Sequence, residues 1–158
     1  MATTGRVRRA GPRDLDRLAA LWVGIASHHE ALDPAFRLRP EADSEIRRLL
    51  EGALRDPDAA VLVYDQGGDL PGLCIVRIDR APAILDEVER AEITDLGVRE
   101  EMRRRGVGRA LADAALDWVR ERGVARAEVR VASANPEAQG FWRALGFGDW
   151  MHLLHRHL

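Results

Sequence analysis

Arg103-Arg104-Arg105-Gly106-Val107-Gly108-Arg109 opens an amphipathic run whose apolar stripe is Val107, Leu111, Ala115 and Trp118, ending near Gly123. Before it stands the β-type run Ala91 to Val98, and after it a second one, Ala127 to Ala132. Strand, glycine-containing turn, helix and strand make a crossover unit, so the two strands can lie parallel in one sheet. The turn itself suits an anion. Backbone N–H groups are free at a helix N-terminus, and glycines let the chain come close to a phosphate without a Cβ in the way. A pyrophosphate fits there, but not in either familiar nucleotide loop. The sequence has no G-x-x-x-x-G-K-[ST], and the third glycine of a dinucleotide fingerprint is missing.

Working outward, Val7 begins a short strand ending at Gly11, and Pro12 can take a first helical position. Leu15, Leu18, Trp22, Ile25 and Leu32 follow helical spacing, with His29 on the same stripe. Asp33-Pro34 ends that helix. A second helix reads Ile46, Leu49, Leu50, Ala53 and Leu54, with Asp43 or Ser44 as its N-cap. Ala60 to Tyr64 and Leu73 to Ile78 read as a hairpin around the turn signal Asp65 to Asp69. The stretch from Asp79 to Arg90 reads as an acidic loop. Asn135-Pro136 starts a last helix that Gly146 stops, and Phe147 to His155 reads as a closing strand. The expected fold is α/β: a single domain over 1–158, with a mixed, mostly antiparallel sheet flanked by about four helices.

Composition narrows the function. With 158 residues, 46% apolar and 32% charged, one domain with one proper core is expected. A net charge of −2 argues against a nucleic-acid partner. No apolar run approaches the roughly 20 residues that span a bilayer, and no apolar segment backs the arginines of residues 1–10. The single cysteine, Cys74, excludes an intrachain disulfide and suits a reducing, cytoplasmic setting. No cluster of Cys and His has zinc spacing, so no metal is expected. His152, His155 and His157 lack carboxylate or cysteine companions at metal-ligand spacing and read as a solvated strand end.

Three spaced motifs carry a resemblance. Arg103-x-x-Gly106-x-Gly108 is similar to the phosphate loop of the GNAT superfamily of N-acetyltransferases. Glu92-Ile93-x-x-Leu96-x-Val98 resembles that family's fourth strand, and Asn135-x-x-Ala138-x-x-Phe141-Trp142-x-x-Leu145-Gly146-Phe147 resembles its last motif. Val7-Arg8-Arg9-Ala10-x-Pro12-x-Asp14-Leu15 and Gly72 also match. The resemblance implies a GNAT-like fold whose sheet splays at a β-bulge, acetyl-CoA as cosubstrate, a small-molecule or peptide amine as acceptor, direct attack in a ternary complex, and a homodimer.

The bulge has its own physical argument. Strict alternation puts Ile93 and Leu96 on opposite faces, yet both are core-type residues, and one extra residue between them restores a common face. The freed backbone groups can then pair with an extended, amide-bearing ligand as a strand would. By the resemblance, Leu96, Gly97 and Val98 hold pantetheine through their main chain. The N–H groups from Arg104 through Arg105, Gly106, Val107 and Gly108 to Arg109 take the pyrophosphate, Arg103, Arg104 and Arg109 add charge, and Asn135 bonds the pantetheine arm.

The chemistry needs a neutral amine. An alkyl ammonium has a pKa near 10, so a base is expected, directly or through water. Glu92 is the first candidate and Asp95 the second, while His28 and His29 face the acceptor region of the family. The family's leaving-group acid is often a tyrosine seven residues after the asparagine. That position here is Trp142, which donates a hydrogen bond but is no practical proton source. A thiol of pKa near 8.5 can leave as thiolate unaided. The departure opens a second reading, a catalytically weak acyl-CoA-binding regulatory module. Cys74 reads as a small core residue, with a covalent acyl-cysteine as an outside alternative. The acidic residues Asp79, Asp86, Glu87, Glu89 and Glu92 read either as a preference for a cationic acceptor or as a solvated loop.

Overall fold

The computed structural model describes residues 4–158; residues 1–3 of the N-terminal stretch lie outside the described residues. Five strands form one sheet in the order β1 (Arg6–Arg9), β2 (Ala59–Gln66), β3 (Asp69–Arg80), β4 (Glu89–Val98) and β5 (Ala127–Val129). The first four are antiparallel neighbours, and β4 and β5 run parallel. Four α-helices cover it: α1 (Leu15–Leu32), α2 (Ala42–Arg55), α3 (Val107–Glu121) and α4 (Pro136–Ala144).

Both sheet faces are apolar, which gives two core clusters. On one face Cys74, Val76 and Ile93 meet Val107, Leu111 and Ala115 of α3 and Trp142 of α4. On the other, Val61, Val63, Leu73 and Ile75 meet Leu18 and Leu21 of α1 and Ile46 and Leu50 of α2. The α1 start is locked by Asp14, which is buried. It accepts from Arg8 (2.8 and 2.9 Å), Arg17 (2.8 Å) and the Gly11 N–H (2.9 Å). Gly67 and Gly68 turn the β2–β3 hairpin with φ of 68° and 94°, the left-handed pair that matches strand twist.

The bulge is present. Ile75 of β3 faces Asp95 and Val76 faces Ile93, so Thr94 is the extra residue on β4. Ile93 and Leu96 thereby share the α3 face, while Glu92 and Asp95 share the opposite one. Pairing with β5 stops at Ile93–Val129, leaving β4 from Thr94 to Val98 without a parallel neighbour.

Several sequence expectations are corrected. α2 begins at Ala42 with Glu41 as N-cap, and Asp43 sits inside the first turn, where it pairs with Arg47 (2.9 Å). The buried α3 stripe continues through Val119, while Trp118 is half-buried beneath Arg122. β3 and β4 reach into the expected loop because Asp79 pairs with Arg90 (2.7 Å) and Arg80 with Glu89 (3.0 Å). Only Ala127–Val129 of the expected fifth strand is paired. The closing strand from Phe147 to His155 does not form: that segment has no partner ladder among the described residues, and water solvates it from Gly148 onward.

Candidate active site

The turn between β4 and α3 has two left-handed residues, Arg104 (φ 59°) and Gly106 (φ 83°). They swing the chain so that α3 starts at Val107 with Gly106 as its cap, and the first helical bond runs from Ala110 N–H to the Gly106 carbonyl (2.9 Å). The N–H groups of residues 107–109 are therefore left to meet an anion. A Cβ at Gly106 would find open space, so no other part of the chain lies against the turn there. Gly108 is the crossing point of all three sequence motifs: a Cβ there would stand 3.6 Å from both Phe141 of α4 and Val98 of β4.

Around this turn the arginines divide. Arg103 turns back and donates from Nε to the Val98 carbonyl (3.1 Å), tying the loop to the strand end. Arg104 is exposed and stands 3.9 Å from Glu137 at the start of α4, Arg105 is exposed, and Arg109 is 3.7 Å from Asp113. Asn135 is buried and caps α4, its Oδ1 accepting from Ala138 N–H (3.0 Å), which leaves its amide N–H groups for a ligand. Trp142 is 6% exposed, edge-on to Phe141 and Phe147 at 5.0 and 5.1 Å. It contributes packing at this site, not a proton.

The other face of β4 carries the ionisable groups. Glu92 is 14% exposed and divides its oxygens between Arg77 (3.4 Å) and Arg130 (3.3 Å). Asp95 accepts from the Trp22 indole Nε1 (2.9 Å) at one oxygen and from Thr94 Oγ1 (2.7 Å) at the other. His29 is half-buried with its ring 5.6 Å from Phe36. Burial holds its imidazole below the ordinary pKa, aided by His28 and opposed by the Asp95 charge. His28 lines a cleft of about 570 Å³ between α1 and the β4–α3 turn, shared with Ile25, Val98 and Arg103. From sequence Trp22 reads only as a residue of the apolar stripe, and Thr94 is not named. Trp22 lies two helical turns before His29, a spacing that could have flagged it.

Other candidates recede. Cys74 is fully buried, and burial pushes its thiol up, so no acyl-cysteine route is accessible. The acidic loop is largely neutralised: besides the two pairs already given, Glu87 meets Arg126 at 3.2 Å. That removes most of the field expected to favour a cationic acceptor. Among the described residues no group of His, Cys, Asp and Glu could hold a metal, and no helix is long and apolar enough to cross a membrane.

Comparison with known proteins identifies the family and the fold. The profile of the acetyltransferase (GNAT) family matches residues 25–147. The chain is 36% identical over 147 residues to mycothiol acetyltransferase of Beutenbergia cavernae, covering 90% of this chain but only 44% of that protein. It is 30% identical over 146 residues to a Bacillus subtilis protein assigned as a ribosomal protein bS18-alanine N-acetyltransferase, covering 92% of this chain and 82% of that one. The BH1408 protein of Bacillus halodurans superposes with a TM-score of 0.84 at 21% identity, over 96% of this chain and 99% of that one. The aminoglycoside N-acetyltransferase AAC(6')-Iy in complex with CoA does so with a TM-score of 0.77 at 18% identity, over 98% and 94%.

Proposed function

The chain belongs to the acetyltransferase (GNAT) family, and from that premise we propose that it is an N-acetyltransferase moving the acetyl group of acetyl-CoA to a primary amine in a ternary complex. The observation that carries the reading is the meeting, at Gly108, of a left-handed anion loop with a strand whose edge is open beyond its bulge.

The residues fit the cosubstrate. The 104–109 N–H groups and the helix N-terminus suit a pyrophosphate, and the open space at Gly106 leaves room for it. The edge of β4 beyond Thr94 suits pantetheine as a strand-like partner, with the free amide of Asn135 beside it. Acetyl-CoA, when bound, would supply an activated acyl thioester. The chain would then polarise the acyl oxygen through a main-chain N–H near Val98 and receive the amine from the face carrying Glu92 and Asp95, where its proton is removed directly or through water. An amino sugar or a peptide N-terminus is the acceptor class suggested by the relatives. The same reading takes residues 1–158 as one catalytic domain acting in the cytoplasm, expected as a homodimer.

Titration calorimetry with acetyl-CoA tests it, comparing the natural chain with an Arg104→Ala/Gly106→Asp variant whose fold is checked by circular dichroism. Binding by the first and loss of at least tenfold in the second support the reading. No binding by the natural chain would sink it. A second reading, an acyl-CoA-binding module with little turnover, draws on the core position of Trp142. Tight acetyl-CoA binding without coenzyme A release across an amine panel would favour it.

A further inference from the structure

The face of β4 that receives the acceptor has three ionisable candidates, and their partners separate them. Glu92 has a guanidinium on each side, Arg77 and Arg130. Its two oxygens are thus divided between two cations. Asp95 is held at both oxygens, by Trp22 Nε1 and Thr94 Oγ1. Both donors are structural: Trp22 projects from α1, and Thr94 is the bulge residue. A carboxylate fixed in that way is oriented rather than free to swing. His29 differs from both. Among the described residues no hydrogen bond reaches either of its ring nitrogens.

The placement of His29 follows from the helix. Trp22 and His29 are seven residues apart, two turns along one α1 stripe, and Ile25 between them seats on Gly97 of β4. The same stripe that donates to Asp95 and seats on Gly97 therefore carries His29 one turn beyond Ile25, with Phe36 5.6 Å from its ring. The charged groups that act on the imidazole are His28 on α1 and Asp95 on β4.

Resting on the N-acetyltransferase reading, we propose that His29 is the residue that takes the proton from the acceptor ammonium, and that the charge of Asp95, itself held by Trp22 and Thr94, supports the imidazolium so formed. In that step an N–H bond of the ammonium breaks, its electron pair stays on nitrogen, and the proton passes to the imidazole. The resulting imidazolium is stabilised by the Asp95 charge and returns its proton to water. His29 enters the step neutral, as a base must, because burial has already lowered its affinity for the proton.

The test has two arms. In the full-length protein without ligands, the His29 ring is titrated by NMR in the natural chain and in Asp95→Asn. The expected midpoint lies below that of a free histidine and falls further in the variant, since a carboxylate that favours the imidazolium has been removed; an unchanged midpoint overturns the supporting role of Asp95. In the second arm, coenzyme A release is followed from pH 6 to 10 with an alanine-starting tetrapeptide and with kanamycin. His29→Gln is expected to lower kcat/KM by about 100-fold at pH 7. Most of that loss should be recovered near pH 10, where the amine loses its proton unaided, and the Kd for acetyl-CoA should not change. Loss of the pH dependence in Glu92→Gln instead of His29→Gln overturns this inference and leaves the transferase reading standing. Acetyl-CoA binding without turnover of either amine overturns both.

Discussion

Gly97 is where α1 is seated on the active strand, and enlarging it should measurably unseat the helix. An ideal Cβ at this position runs into the Ile25 side chain, with Cδ1 and Cγ1 in its path and Cγ2 at 3.1 Å. Isoleucine is branched at Cβ, so it has little rotamer freedom in a helix, and α1 must move as a body. Overpacking of this kind costs about 2 kcal/mol. For a domain of this size that is a fall of roughly 4–8 °C in Tm. Ile25→Ala alone should also destabilise, by about 2 kcal/mol, through lost packing. The cycle is the informative measurement: in the Ile25→Ala background the added methyl has space, so Gly97→Ala should cost close to nothing, a coupling of about −2 kcal/mol. Urea unfolding of the four proteins reads it. Additive losses would refute the claim that this contact seats α1, and with it the route by which Trp22 and His29 reach β4.

Acid should release the Asp14 lock. Hydrogen bonds from Arg8 foremost, then the Gly11 N–H and the charges of Arg8 and Arg17, hold its carboxyl at about 2 against an ordinary 3.8, while burial opposes them. The associated stability, about 2 kcal/mol, is complete above pH 4 and is lost as pH falls from 4 toward 2; Asp14→Asn should remove that segment of the urea-midpoint profile. Cys74 should resist iodoacetamide at pH 8 and react only in denaturant, as intact mass would reveal; native alkylation would contradict its burial. Gly106→Ala meets no clash but forces a side chain to φ 83°, so stability should drop by about 1–2 kcal/mol while acetyl-CoA binding weakens. Retention of full affinity would show that the loop conformation does not matter to the phosphate.

The local signals read correctly are those in which a residue type has one physical use. Asn135 before Pro136 starts α4, and the conflict between Ile93 and Leu96 required the extra residue that proved to be Thr94. Helix and strand identities followed from periodicity, because each face buries its own stripe. The misreadings share a different cause. Phe147 to His155 has strand-like composition, but a strand exists only where a neighbouring edge supplies its hydrogen bonds, and the β5 ladder ends at Val129. The acidic stretch 79–90 left open a field for a cationic acceptor or a solvated loop, and folding set Arg80, Arg90 and Arg126 against it.

By itself, then, the order of residues determined the family, the glycine turn before α3 and the core faces, since these depend on spacing along one chain. Which ionisable groups are free to work was decided only by the tertiary structure. Glu92 is neutralised by an arginine from β3 and another beyond β5, and Asp95 is fixed by an indole 73 residues earlier in the chain. Interactions between groups so far apart in sequence depend on distances of a few ångströms that only folding creates.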